Sequence, residues 1–188
     1  MSHKKILAFA GSTSQKSLNK ILLKYAILMA RSNGLQVTEI DLKDYPLPLY
    51  QADKEAQKGL PPAAQALKEI FQDHEALLIA SPEYNSSITP LLKNTIDWVS
   101  RKAYPDEPDL QAYRYKKAAL LSASPGYYGG LRGLVTVRSI LNNIGVTVIP
   151  EQVCVPNAHQ ILAQKDLFDQ KYQQKIKQLC ESLARHLG

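Results

Sequence analysis

Three polar loops, each following a short unbroken apolar run, carry the residues of this chain whose types and spacing could do chemistry. The first, Gly11 to Asn19, sets the hydroxyls of Ser12, Thr13, Ser14 and Ser17 and the amide of Asn19 at the start of a helical pattern. Free N–H groups at a helix N-terminus, with the helix dipole, favour a phosphate, and hydroxyls add donors at no charge cost. The spacing is neither GxGxxG nor GxxxxGK[ST], so no dinucleotide or nucleoside triphosphate motif is present. Ser17 as a plain N-cap in a polar loop is the simpler alternative. The second loop, Ser81 to Ser87, ends the apolar run Ala76 to Ala80. A loop at the carboxyl end of a buried parallel strand is where open α/β sheets bind ligands, which makes Pro82, Glu83, Tyr84 and Asn85 site candidates. An ordinary capped strand-to-helix connection accounts for them equally well. The third loop, Ser122 to Gly130, holds Ser124, Pro125, Gly126, Tyr127, Tyr128 and Gly129. Its glycines bare the backbone beside aromatic rings, so it could follow a flat heterocycle, or simply turn the chain into the next helix.

Strands and helices alternate so as to bring these loops together. Ile6 to Ala10, Leu35 to Ile40, Ala76 to Ala80, Ala118 to Leu121 and Val146 to Ile149 read as strands. Leu18 to Asn33, Ala63 to Phe71, the segment from Pro90 to near Arg101, Leu131 to Asn143 and Phe168 to Leu187 read as helices. Thr89 is the expected N-cap of the third of these, with Pro90 at its first position. Asp41 to Pro62 shows no period and reads as a long surface connection, as does the stretch from Arg101 to Tyr115. Right-handed crossovers place the three chemistry-bearing loops on one sheet edge. The expected architecture is a doubly wound, five-stranded parallel sheet of order 2-1-3-4-5 in a single domain, 1–188.

Composition bounds the function. Hydrophobic residues make up 45% and charged residues 21%, as in an ordinary globular protein, and no apolar span reaches membrane length, so no membrane insertion is expected. The N-terminus does not read as a signal peptide, which points to the cytoplasm. Net charge is +6, but Lys and Arg are dispersed and form no basic stripe with interleaved aromatics, so nucleic acid is not an expected partner. Cys154 and Cys180 have no CxxC spacing, and no metal or redox-disulfide chemistry is signalled.

With the loops in place, the chain resembles the NAD(P)H-dependent FMN reductase family of flavodoxin-like quinone, azo-dye and chromate reductases. The resemblance rests on Gly11-Ser12 through Ser17 and Asn19, on Ser81-Pro82-Glu83-Tyr84-Asn85 with Leu92-Lys93-Asn94 and Asp97-Trp98, and on Ser122 through Gly130 with Arg132. Asp41-Leu42, Pro46 to Tyr50 and Asp53 are similar to the family's connection after strand two. The resemblance implies a flavodoxin-like three-layer sandwich. It implies FMN as cofactor, with Ser12, Ser17 and Asn19 at the phosphate, Pro82 to Asn85 around the ribityl chain and flavin ring, and Ser124 to Gly129 bordering the isoalloxazine. Ser14 stands where the family usually has an arginine beside the phosphate, and Lys16 or Lys20 is the expected source of the missing charge.

The implied activity is hydride transfer from NADPH or NADH to FMN and on to a quinone, azo compound, flavin or metal oxyanion, with ping-pong kinetics and no catalytic side chain, because the cofactor carries the chemistry. Arg101 or Arg114 could meet a nucleotide 2′-phosphate, although surface charges near a long loop are usually only solvated. Trp98 is read as a core or interface anchor, leaning to the second, and a homodimer or homotetramer is implied. The competing expectation is a flavodoxin-type electron carrier without NAD(P)H activity, although such carriers are typically acidic.

Overall fold

The computed structural model describes residues 4–162 and 170–188. Five parallel strands, β1 (Lys5–Ala10), β2 (Gln36–Glu39), β3 (Ala76–Ala80), β4 (Lys117–Ala123) and β5 (Thr147–Val155), form one sheet in the expected order β2-β1-β3-β4-β5. All five residues of β3 are buried, as an unbroken apolar run between two helical layers requires. One layer holds α1 (Leu18–Ser32) and α7 (Gln170–Leu187). The other holds α3 (Pro62–Gln72), α4 (Pro90–Val99) and α5 (Leu131–Asn143). Alternation along β1 divides its side chains between the two cores, with Ile6, Ala8 and Ala10 facing one and Leu7 and Phe9 the other. Phe168, expected in the closing helix, lies outside the described residues.

Three features depart from the sequence-based expectation. The connection after β2 is not structureless: it contains a short 3-10 turn, Leu42–Asp44, and a helix, α2 (Ala52–Lys58). No residue of α2 is buried, so it has no apolar stripe to announce it. β5 runs to Val155 through Pro150, with a register shift opposite Ala118 and Leu120 that lets an edge strand carry a proline. A further short helix, α6 (Ala158–Leu162), follows it.

Trp98 is a core anchor in this chain. It is 1% exposed, donates its indole N–H to the Pro48 carbonyl at 2.7 Å and meets Tyr50 edge-on at 5.1 Å. Asn94 also reaches Pro48 (2.9 Å) and accepts from the Tyr50 N–H (2.8 Å), so α4 clamps the 46–50 segment flat against itself. Its own loop covers it, so Trp98 does not stand at the surface as the expected interface anchor. Cys154 and Cys180 are free thiols, raised by burial to about 11 and about 12, which keeps both protonated and unreactive. Among the described residues no group of metal-ligating side chains is assembled, and no helix is long and apolar enough to cross a membrane.

Candidate functional site

The three loops start side by side because their strands do. Ala10 pairs with Ala80 and Ala80 with Leu121, and the ladder continues one step beyond the strands, from the Gly11 N–H to the Ala80 carbonyl (2.9 Å) and from the Ser81 N–H to the Leu121 carbonyl (2.8 Å). Side chains then lock the loops to one another. Thr89 caps α4 by accepting from the Leu92 N–H at 3.2 Å, while its own hydroxyl donates to the Gly11 carbonyl at 2.8 Å. Gly11 is packed so closely that an added Cβ would lie 3.2 Å from Leu92 and 3.3 Å from Pro82. The third loop is held by Ser124, whose N–H donates to Val155 and whose carbonyl accepts from Ala158, each at 3.1 Å.

The result is a cleft of about 220 Å³ at the carboxyl edge of the sheet, lined by Ser12, Ser14, Ser17, Asn19, Pro82, Glu83, Tyr84, Ser124 and Pro125 among others. Nine of the expected site residues thus meet in one place. Asn85, Gly126, Tyr127 and Gly129 lie on the same loops but do not line the cleft. Asn85 is at the tip of a tight turn closed by paired Tyr84 and Ser87 backbone bonds (2.9 and 3.0 Å), and it adopts φ 50° there. Tyr127 is 82% exposed and meets Tyr128 edge-on at 5.5 Å, outside the mouth.

Two site residues also have structural duties. The Asn19 amide donates to the Ala123 carbonyl and its oxygen accepts from the Ala123 N–H, so its polar atoms brace the first loop against the third. Glu83 accepts from Arg132 Nε (2.9 Å) and Nη2 (2.6 Å) and from the Gly133 N–H (3.0 Å), capping the first turn of α5. Burial works against its charge, but the Gly133 N–H and the Arg132 guanidinium outweigh it and hold the carboxyl below its ordinary range. The same guanidinium lies 5.1 Å over the Tyr128 ring.

The charges sort differently from expectation. Lys20 turns away to Asp41, 2.6 Å distant, whereas Lys16 lines the cleft. His159, on α6, lines it too and was missed, since a lone histidine beyond the last expected strand carries no sequence signal. Arg101 and Arg114 border a separate cavity at the amino edge of the sheet, where Arg114 packs against Gly145 just ahead of β5. Within one chain neither lines the cleft.

This donor set fits a phosphorylated flavin: hydroxyls, a lysine and the N-terminus of α1 line one cleft together with the half-exposed ring of Tyr84. Comparison with known proteins points the same way. Residues 4–160 match the family model described as NADPH-dependent FMN reductase. An NAD(P)H-dependent FMN reductase of Pseudomonas aeruginosa is 34% identical over 95% of this chain and 92% of its own length. An NADPH:quinone oxidoreductase of Arabidopsis thaliana is 32% identical over 95% and 89%. Among solved structures, a flavoenzyme NAD(P)H:(acceptor) oxidoreductase from Paracoccus denitrificans superposes with a TM-score of 0.77 at 26% identity, covering 97% of this chain and 98% of that one. With an order of strands, a cleft and a full-length likeness that agree, the chain belongs to the NADPH-dependent FMN reductase family of flavodoxin-like flavoenzymes.

Proposed function

We propose that the chain is a reductase that holds FMN in the carboxyl-edge cleft and uses NADPH or NADH to reduce a small acceptor, a quinone, azo compound, free flavin or metal oxyanion, by a ping-pong mechanism. Bound FMN would supply the two-electron redox chemistry that links nicotinamide to acceptor. The protein supplies position. Ser12, Ser14, Ser17 and the free N–H groups at the start of α1 take the phosphate. Asn19 sets the width of that end through Ala123. Pro82, Glu83 and Tyr84 would border the ribityl chain and the ring, and Ser124 and Pro125 would close the opposite side.

Glu83 and Arg132 hold the second loop and α5 in fixed relation, so the ring wall is preformed and need not be ordered on binding. Exposed Tyr84, at the cleft, would border the place that donor and acceptor occupy in turn. Leu131 and Val135, 40% and 60% exposed and one turn apart on α5, offer an apolar face for a second copy, which supports a homodimer or homotetramer. A nucleotide 2′-phosphate meets Arg101 or Arg114 only if such a partner brings one to the cleft.

Convergence of the hydroxyl loop, the Pro82–Asn85 loop and the Gly-rich loop on one cleft is the observation that carries this reading. Anaerobic stopped-flow mixing of the FMN-loaded protein with NADPH or NADH tests it. Rapid bleaching of the flavin band is expected. Tight FMN binding without bleaching by either nucleotide would make the protein an electron carrier instead.

A further inference from the structure

We propose that His159 supplies, together with Lys16, the cationic side of the phosphate subsite; the inference rests on the FMN reading above. Lys16 and His159 come from opposite ends of the sequence and line the same cleft as Ser12, Ser14 and Ser17. Both side chains are exposed, and among the described residues no salt bridge engages either one. The acidic group lining this cleft, Glu83, is committed to Arg132 and the Gly133 N–H, so it engages neither side chain. Lys20, the other lysine near this loop, is held by Asp41.

The backbone fixes His159 where it is needed. Asn157 takes φ 46° and donates its N–H to the Gly126 carbonyl, and Ala158 donates to the Ser124 carbonyl at 3.1 Å. These bonds stitch the segment just before His159 to the third site loop, so the imidazole is carried with that loop toward the hydroxyl loop. A ring nitrogen can donate to a phosphate oxygen in either protonation state, and the imidazolium adds charge assistance. The cleft that His159 lines is also lined by Ser12, Ser14, Ser17 and Lys16, a set that suits a dianionic phosphomonoester and gives a neutral alcohol little.

Riboflavin, which is FMN without the phosphate, isolates this subsite. Flavin fluorescence titrations of the full-length protein, freed of flavin, would compare FMN with riboflavin for the wild type and for His159→Gln, Lys16→Gln, His159→Lys and Lys20→Gln. The expected result is about a tenfold loss of FMN affinity for His159→Gln and for Lys16→Gln, with riboflavin affinity unchanged and with His159→Lys and Lys20→Gln close to wild type. FMN affinity untouched in His159→Gln would overturn the inference and leave the FMN reading standing. An equal loss for both flavins would also overturn it, since His159 would then shape the loop without contacting phosphate. A wild type that binds neither flavin would bring down the site reading itself.

Discussion

Asn19 and Ala123, 104 residues apart, are joined by two hydrogen bonds of 2.9 Å in opposite directions, side-chain amide to carbonyl and backbone N–H to side-chain oxygen. The first turn of α1 and the last residue of β4 are therefore one rigid piece, with Asn19 only 3% exposed. Asn19→Ala strips partners from two buried backbone groups, and a loss of about 2–4 kcal/mol in urea unfolding is expected. Asn19→Asp keeps the acceptor for the Ala123 N–H but sets a carboxylate against the Ala123 carbonyl and adds negative charge beside the cleft. It should weaken FMN binding more than its effect on stability accounts for, which a flavin titration beside the unfolding curve would reveal.

Glu83 gives a pH dependence of defined sign. Its carboxyl is held below the usual value in the folded chain, so the stability it contributes is fully present above the ordinary glutamate pKa of about 4.3 and is lost as pH falls through the lowered folded value. In Glu83→Gln that contribution is absent at every pH. Wild type should exceed the variant in stability at pH 7 and approach it toward pH 3, and parallel unfolding curves across this range would show it. A difference that stays constant with pH would mean that the hydrogen-bond geometry matters and the charge does not.

How much of this was legible beforehand depends on the range of each interaction. Strand β3 and the Thr89-Pro90 start of α4 could be read because burial on both faces and helix capping leave local marks in sequence. The strand order matches the common order of a doubly wound sheet, which alternating strands and helices make the natural expectation. Helix α2 could not be read, since a helix lying wholly on the surface has no apolar period. The clasp between Asn19 and Ala123 and the bond from Glu83 to Arg132 span 104 and 49 residues, and nothing local to either partner announces them. His159 entered the cleft for the same reason: Pro150 and the register shift carry β5 beyond its apolar run, and only the longer strand brings α6 to the site.

Lys68 and Glu107 form an ion pair of 2.8 Å whose side chains are 3% and 0% exposed, fixing the excursion after α4 onto α3. Glu107 also accepts from the Ala103 N–H and from Gln72, and Lys68 donates to the Arg101 carbonyl, so every charge is compensated in place. Lys68→Met leaves the carboxylate buried without a cation and should cost about 3–5 kcal/mol. Adding Glu107→Gln removes that charge while keeping an acceptor for the Ala103 N–H. The double variant is expected to be more stable than Lys68→Met alone, and a double-mutant cycle by chemical denaturation measures the difference.

Gly130 and Gly34 both hold positive φ, 88° and 77°, yet they should respond differently to alanine. At Gly34, which ends α1, nothing lies within 4 Å of an added Cβ, so Gly34→Ala incurs only left-handed strain of about 1–2 kcal/mol. At Gly130 the same atom would stand 1.8 Å from Ser122 Oγ and 2.7 Å from Ser122 Cβ, against a strand residue with no exposed surface and no room to retreat. Gly130→Ala should cost more than about 3 kcal/mol, and trimming Ser122 to alanine should not rescue it, since the Cβ clash survives. Because Gly130 stands between the tyrosines and α5, any relief must move the third loop. Flavin affinity should therefore fall together with melting temperature in Gly130→Ala, whereas Gly34→Ala should lower melting temperature and leave flavin binding intact.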